Sequence, residues 1–210
     1  MHVLTRRTIL ARVSTLCLAA TLGAGLAPAP ASGSTDGARA FIQGLGERAM
    51  TAINARRDRR EAIKKLIEDA LDIESVGRFA LGAFLRQSNP KKVEEYLGVF
   101  RGYVMMAYPD MLAKFELKKF EIVSAADSGA DASFVITTIE YGEKDKAELG
   151  WYVREVKPGL YRVQDVQLEG YSLRAFQRSK FEKILRDRWI DGLIRILNGW
   201  IKNGREEPYF

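Results

Sequence analysis

The residue types behind most covalent and metal chemistry are nearly missing from this sequence, which holds one histidine, His2, and one cysteine, Cys17. Both sit in a segment built like a secretory signal peptide. Arg6 and Arg7 make a basic start, Leu16 to Leu26 is an uncharged apolar run, and Ala29-Pro30-Ala31 is a small-residue cleavage site, so residues 1–31 read as a signal peptide. Thr5 to Leu10 is loosely similar to a twin-arginine export signal, and Cys17, followed by Leu18 and Ala19, lacks a lipoprotein-type context. A mature chain starting near Ser32 keeps neither residue. Disulfides, Cys/His zinc sites, thiol nucleophiles and Ser-His-Asp triads are then excluded. The segment also takes Arg6, Arg7 and Arg12 and no acid with it, so the formal net charge falls from +6 to +3.

What remains for chemistry is carboxylates, tyrosines and basic clusters. Asp165 as a general base has no histidine, cysteine or second matching acid near it in sequence. The first basic cluster is Arg56, Arg57, Arg59, Arg60, Lys64 and Lys65; the second is Arg174, Arg178, Lys180, Lys183, Arg186 and Arg188. Asp58, Glu61, Glu182 and Asp187 interrupt them, which argues against a phosphate-backbone reader, and no nucleic acid is expected as a partner. Solvated helix faces explain both clusters; docking to anionic headgroups or acidic partner surfaces is the functional alternative.

The elements that must position these groups follow from periodicity. Residues 32–37 are small and polar and read as a flexible leader, with a single domain over 38–202 and a flexible tail over 203–210. Phe41, Ile42, Leu45, Ala49 and Ile53 recur at helical spacing, as do Ile63, Leu66, Ile67, Ala70 and Leu71. Asp72 can cap a third helix and Asn89-Pro90 can open a fourth, which Tyr108-Pro109 would end. The period then changes to strands at 116–125, 132–141, 147–156 and 161–168, separated by turns short enough for consecutive hairpins. In the third strand Leu149, Trp151 and Val153 face one way. Ser172 and Asp191 can cap two closing helices. The expectation is an α+β domain: a four-stranded antiparallel meander with helices across one face.

Two segments resemble the MlaC/Ttg2D family of periplasmic phospholipid-binding proteins, often described as toluene-tolerance proteins. Asp72 to Gly82, DIESVGRFALG, is similar to the family's "D…RF.LG" helix. Tyr161 to Ser172, YRVQDVQLEGYS, with Gln177-Arg178-Ser179-Lys180-Phe181 after it, is similar to the "DV.veG.S" passage and the "QRseF" continuation. Phe100 to Tyr108 and Gly192-Leu193-Ile194 match two further motifs in family order. The chain departs from the pattern at Phe84-Leu85, Lys180 and Arg186 to Ile190.

The resemblance implies an NTF2-like fold with an apolar cavity between sheet and helices, and a periplasmic carrier shuttling phospholipid between outer and inner membranes. It further implies an inner-membrane transporter complex and an outer-membrane lipoprotein complex as partners, no cofactor, a monomer and no enzymatic activity. Facing helix stripes offer Phe79, Phe100, Tyr103, Val104, Tyr108 and Phe176 as pocket wall. Inward strand positions offer Val135, Ile139, Leu149, Trp151, Val153, Val166 and Leu168, with Tyr171 just beyond. Each also suits ordinary core packing. Arg78 and Asp165, charges within apolar matching segments, suit either a structural pairing or, for Arg78, the lipid headgroup. Other lipids such as hopanoids, an NTF2-like enzyme using carboxylates and tyrosines, and an interaction module with a filled core stay open as alternatives.

Overall fold

The computed structural model describes residues 32–143 and 145–206; the expected signal peptide and the last four residues lie outside them. Six helices and five strands follow in order: α1 (Ser32–Ile53), α2 (Arg59–Ala70), α3 (Ile73–Leu81), α4 (Phe84–Gln87), α5 (Pro90–Leu112), β1 (Leu117–Asp127), β2 (Ala132–Tyr141), β3 (Asp145–Lys157), β4 (Leu160–Leu168), β5 (Tyr171–Ser172) and α6 (Leu173–Asn203).

The expected caps do their work locally. Asp72 accepts from the Ser75 amide at 3.1 Å, Asn89 from the Lys91 amide at 2.9 Å, and Ser172 from the Ala175 amide at 3.1 Å. Four boundaries differ from the sequence reading. α1 starts at Ser32, so the expected flexible leader is helical. α5 runs through Pro109 to Leu112, because proline removes only its own amide bond while the Ala113 amide closes the last turn on the Pro109 carbonyl at 2.8 Å. α4 is an added turn after Gly82.

The two closing helices are one segment, α6, broken not at Asp191 but at Trp189, whose φ of 57° and ψ of −171° lie outside the helical region. A non-glycine residue there costs about 1–3 kcal/mol. Phe84 meets the displaced indole edge-on at 5.5 Å, while Asp191 pairs with Lys92 at 2.9 Å.

The strands form one antiparallel sheet in the order β1-β2-β3-β4-β5. It has five strands rather than the expected four, since Tyr171 and Ser172 fold back onto Leu168 and Gln167. Register puts Ser133, Val135 and Thr137 of β2 opposite Val153, Trp151 and Leu149 of β3, on one face as the alternation requires. α1 lies across that face. Its approach is close enough to need small residues: a Cβ on Gly37 would stand 2.0 Å from the Tyr161 hydroxyl oxygen, and one on Gly46 would stand 2.3 Å from the Phe120 ring.

Two cores result. Ala38, Ile42 and Leu45 of α1 pack with Val135, Val153 and Val163 of the sheet. A larger core joins α2, α3, α5 and α6 around Tyr96, Phe100, Tyr103 and Phe181. Leu71 touches both cores.

Candidate functional site

The structure sorts the predicted wall residues, Phe79 apart, into three environments. The first is the helical core. Phe100 and Val104 are fully buried, and Phe100 contacts Tyr96, Tyr103 and Phe181 with ring centroids 5.7 to 6.1 Å apart. Tyr103 is equally buried. Its hydroxyl lies 3.2 Å from Oε1 of Gln177 and also contacts the carboxylate of Glu206, which pairs in turn with Lys180.

One hydroxyl donates only one hydrogen bond, and Nε2 of buried Gln177 has no acceptor among the described residues. With that amide turned end for end, Nε2 donates to the Tyr103 oxygen and the hydroxyl proton goes to Glu206. Burial, reinforced by Glu206, pushes the Tyr103 phenol well above its ordinary range. Burial likewise raises Tyr108, which meets Tyr103 edge-on at 6.4 Å, to about 12. Neither phenol ionises near neutral pH, so this seam orders the core and the chain end rather than moving protons.

The second environment is the inner sheet face, where exposure rises along β4 toward its end while β2 stays covered through Thr137. Ser133 and Val153 are buried beside Val163. One step along, Val135 is still buried while its neighbours Trp151 and Val166 are half-buried; the Trp151 indole donates to the buried Thr137 hydroxyl at 2.9 Å. A further step brings half-buried Leu149 opposite Leu168, which is 43% exposed. Ile139 is half-buried against the helical core.

The third environment continues from there. After Leu168 the chain turns through Glu169 and Gly170 into Tyr171, 78% exposed, and then Leu173 and Phe176, 40% and 69% exposed and three residues apart on α6. Leu168, Tyr171, Leu173 and Phe176 thus leave four large apolar side chains exposed within one short stretch of chain.

Phe79, Arg78 and Asp165 stand apart from all three. Phe79 lies under the guanidinium groups of Arg174, 4.5 Å from the ring centre, and Arg178, at 5.6 Å. Asp165, 4% exposed, accepts from the Arg174 amide at 3.1 Å and faces the same residue's guanidinium at 3.6 Å. It therefore caps and charge-complements the start of α6. Arg78 is held by Glu74 at 2.9 Å and Glu94 at 3.0 Å, a link from α3 to α5. Both side chains are thus paired within the described residues, Asp165 where β4 meets α6 and Arg78 between two helices.

Sequence reasoning names Arg174 only in a basic cluster and Gln177 only in a motif, leaves Leu173 out of the wall, and does not single out Glu206. Leu173 was findable, since its spacing from Phe176 puts both on one helical face. Glu206 was not, because nothing local connects it to Tyr103.

α5 packs on α2, α3 and α6, and Val135, Val153, Phe100, Tyr103 and Val104 are buried in the two cores. Two concavities lie elsewhere. One, of about 360 Å³, runs between α1 and α2 along Thr51, Ala52, Ala55 and Ala62. The other, of about 510 Å³, is lined by Asn54, Ala55, Arg56, Arg59, Lys114, Phe115 and Glu116. Among the described residues no three His, Cys, Asp or Glu side chains gather as metal ligands, and no helix is long and apolar enough to cross a membrane.

Comparison with known proteins follows the same outline. The solved structure of a phospholipid-binding protein from Ralstonia solanacearum, in complex with a phospholipid, aligns with a TM-score of 0.62 over 80% of this chain and 98% of that chain. At 18% identity, what the two share is the fold. A family model described as the MlaC protein matches residues 37–199, spanning α1 to the last turns of α6. The chain belongs to the MlaC family.

Proposed function

We propose that this protein is a periplasmic carrier that takes up a phospholipid and shuttles it between the outer and inner membranes without catalysing a reaction. The observation that carries the reading is the graded inner sheet face. Trp151, Val166 and Leu149 are half-buried, Leu168 beside them is exposed, and the strip leads into exposed Tyr171, Leu173 and Phe176. Acyl chains seated there would cover that strip. Family membership and the phospholipid bound by the Ralstonia protein support the same reading.

A carrier need not bind strongly relative to a bilayer. Burying about 30 methylenes from water is worth roughly 24 kcal/mol at about 0.8 each, but the bilayer already provides that gain. Small differences between donor, carrier and acceptor then decide direction. An inner-membrane transporter complex and an outer-membrane lipoprotein complex would be the docking partners; a monomer without cofactor suffices. Native mass spectrometry of protein purified gently from a periplasm tests this. A population carrying one phospholipid mass is expected, and bare polypeptide alone overturns it.

The full burial of Phe100, Tyr103, Val104, Val135 and Val153 favours a second reading, an interaction module that docks on a membrane complex and carries nothing. That module would bind the complex equally well when stripped of lipid.

A further inference from the structure

The first basic cluster divides in the fold. Arg60 is held by Asp110 at 2.7 Å and by the Met106 carbonyl at 3.2 Å, and Lys64 by Glu61 at 2.7 Å. Arg56 and Arg59 have no carboxylate partner among the described residues. They line the 510 Å³ groove together with Lys114, which arrives from the end of α5. Arg56 and Lys114 are exposed and form no ion pair among the described residues, and Glu116 is the one acid in the lining.

The groove is held open by a rigid frame. Asn54 donates to the Leu117 carbonyl at 2.6 Å and accepts from the Leu117 amide at 3.1 Å, which fixes the end of α1 to the start of β1. Nη2 of Arg59 donates to the Phe115 carbonyl and so holds the guanidinium against the groove wall. Its Nε is buried and has no acceptor among the described residues. Beyond that carbonyl contact the guanidinium has no carboxylate partner among the described residues, so its positive charge stays uncompensated at the groove. Three cations lining one groove against a single acid give it a positive potential that attracts an anion. The neighbouring 360 Å³ groove shares Ala55 with this one and is floored by Ala52, Ala55 and Ala62, so an apolar stem can lie beside the charged end.

We propose that the groove at Arg56, Arg59 and Lys114 is a binding site for a phosphate group, offered either by a lipid headgroup or as a free phosphate. The site is separate from the carrier wall and shares no residue with it, so lipid found in the purified protein would neither establish nor remove it.

The test is a titration of isotope-labelled protein followed by amide chemical shifts, with inorganic phosphate, glycerol phosphate and dihexanoyl phosphatidylglycerol as probes. Saturable shifts at Ala55, Arg56, Arg59, Lys114 and Phe115 are expected. In the R56E/K114E variant, whose changes are both on exposed side chains, affinity is expected to fall by about tenfold or more, the scale of one charge-assisted hydrogen bond. Raising NaCl to about 0.3 M should weaken binding as well. Tighter binding of the lipid than of either soluble phosphate assigns the site to headgroups; equal binding assigns it to free phosphate. Shifts confined to Leu149, Trp151 and Leu168 would report the carrier wall and, like an affinity unchanged in R56E/K114E or no saturable shift with any probe, would overturn the proposal.

Discussion

Val153 and Leu149 lie on the same face of the same strand four residues apart, yet Val153 is sealed under α1 and Leu149 is half-open. Their surroundings differ in what covers them, not in their own chemistry. Around Val153, small residues let α1 come down onto the sheet and the core closes. Around Leu149, the neighbouring β4 side of the face is less covered, with Leu168 exposed, and the chain that follows presents large apolar groups outward instead of folding them in. The closed end supplies the free energy that holds the fold. The open end is where apolar surface is left for something else.

The largest effect that would sharpen this contrast is on stability. Phe100→Ala, in the closed helical core, should lower the unfolding free energy by about 3–5 kcal/mol, whereas Phe176→Ala should change it by less than about 0.5 kcal/mol. Urea denaturation of both variants checks this, and comparable losses would break the division into closed and open regions.

Next comes pH. Tyr108 is an acid whose folded pKa, about 12, lies above its ordinary value of 10.0, so the folded state favours the protonated phenol. Its contribution is fully present below pH 10 and is lost as pH rises from 10 through 12, about 2–3 kcal/mol in all. Alkaline unfolding of Tyr108→Phe should lack that part of the decline.

Asp165→Asn should cost about 1–3 kcal/mol by weakening the charge-assisted cap of α6, with lipid occupancy unchanged in native mass spectra. Loss of lipid at unchanged stability would instead make Asp165 part of the cargo site. The smallest effect is expected for Arg78→Ala, less than about 1 kcal/mol by thermal melting, because its pairs with Glu74 and Glu94 are near the surface.

Much of this architecture is legible in the sequence because its signals are local. Asn89-Pro90 opens α5, Asp72 and Ser172 cap their helices, and the alternation of Leu149, Trp151 and Val153 fixes the face of β3. β5 was invisible because a two-residue strand has no period. The break at Trp189 was displaced from Asp191 because a cap residue signals a start and says nothing of strain just before it. The site was harder still. An apolar stripe such as Phe100, Tyr103 and Val104 reads alike whether it lines a pocket or fills a core, and here it fills a core. The rim at Tyr171 and Phe176 could be named from sequence, but its exposure depends on how far α1 and α6 extend over the sheet.

The most direct test of the open wall uses Trp151, which stands at the boundary of covered and uncovered sheet, as a reporter. Loading the protein with phospholipid brominated along its acyl chains should quench tryptophan emission, and Trp151→Phe should abolish most of that quenching while Trp189→Phe leaves it. Equal quenching with and without Trp151, or none at all in protein proven to hold the lipid, would contradict the assignment of the cargo to this face.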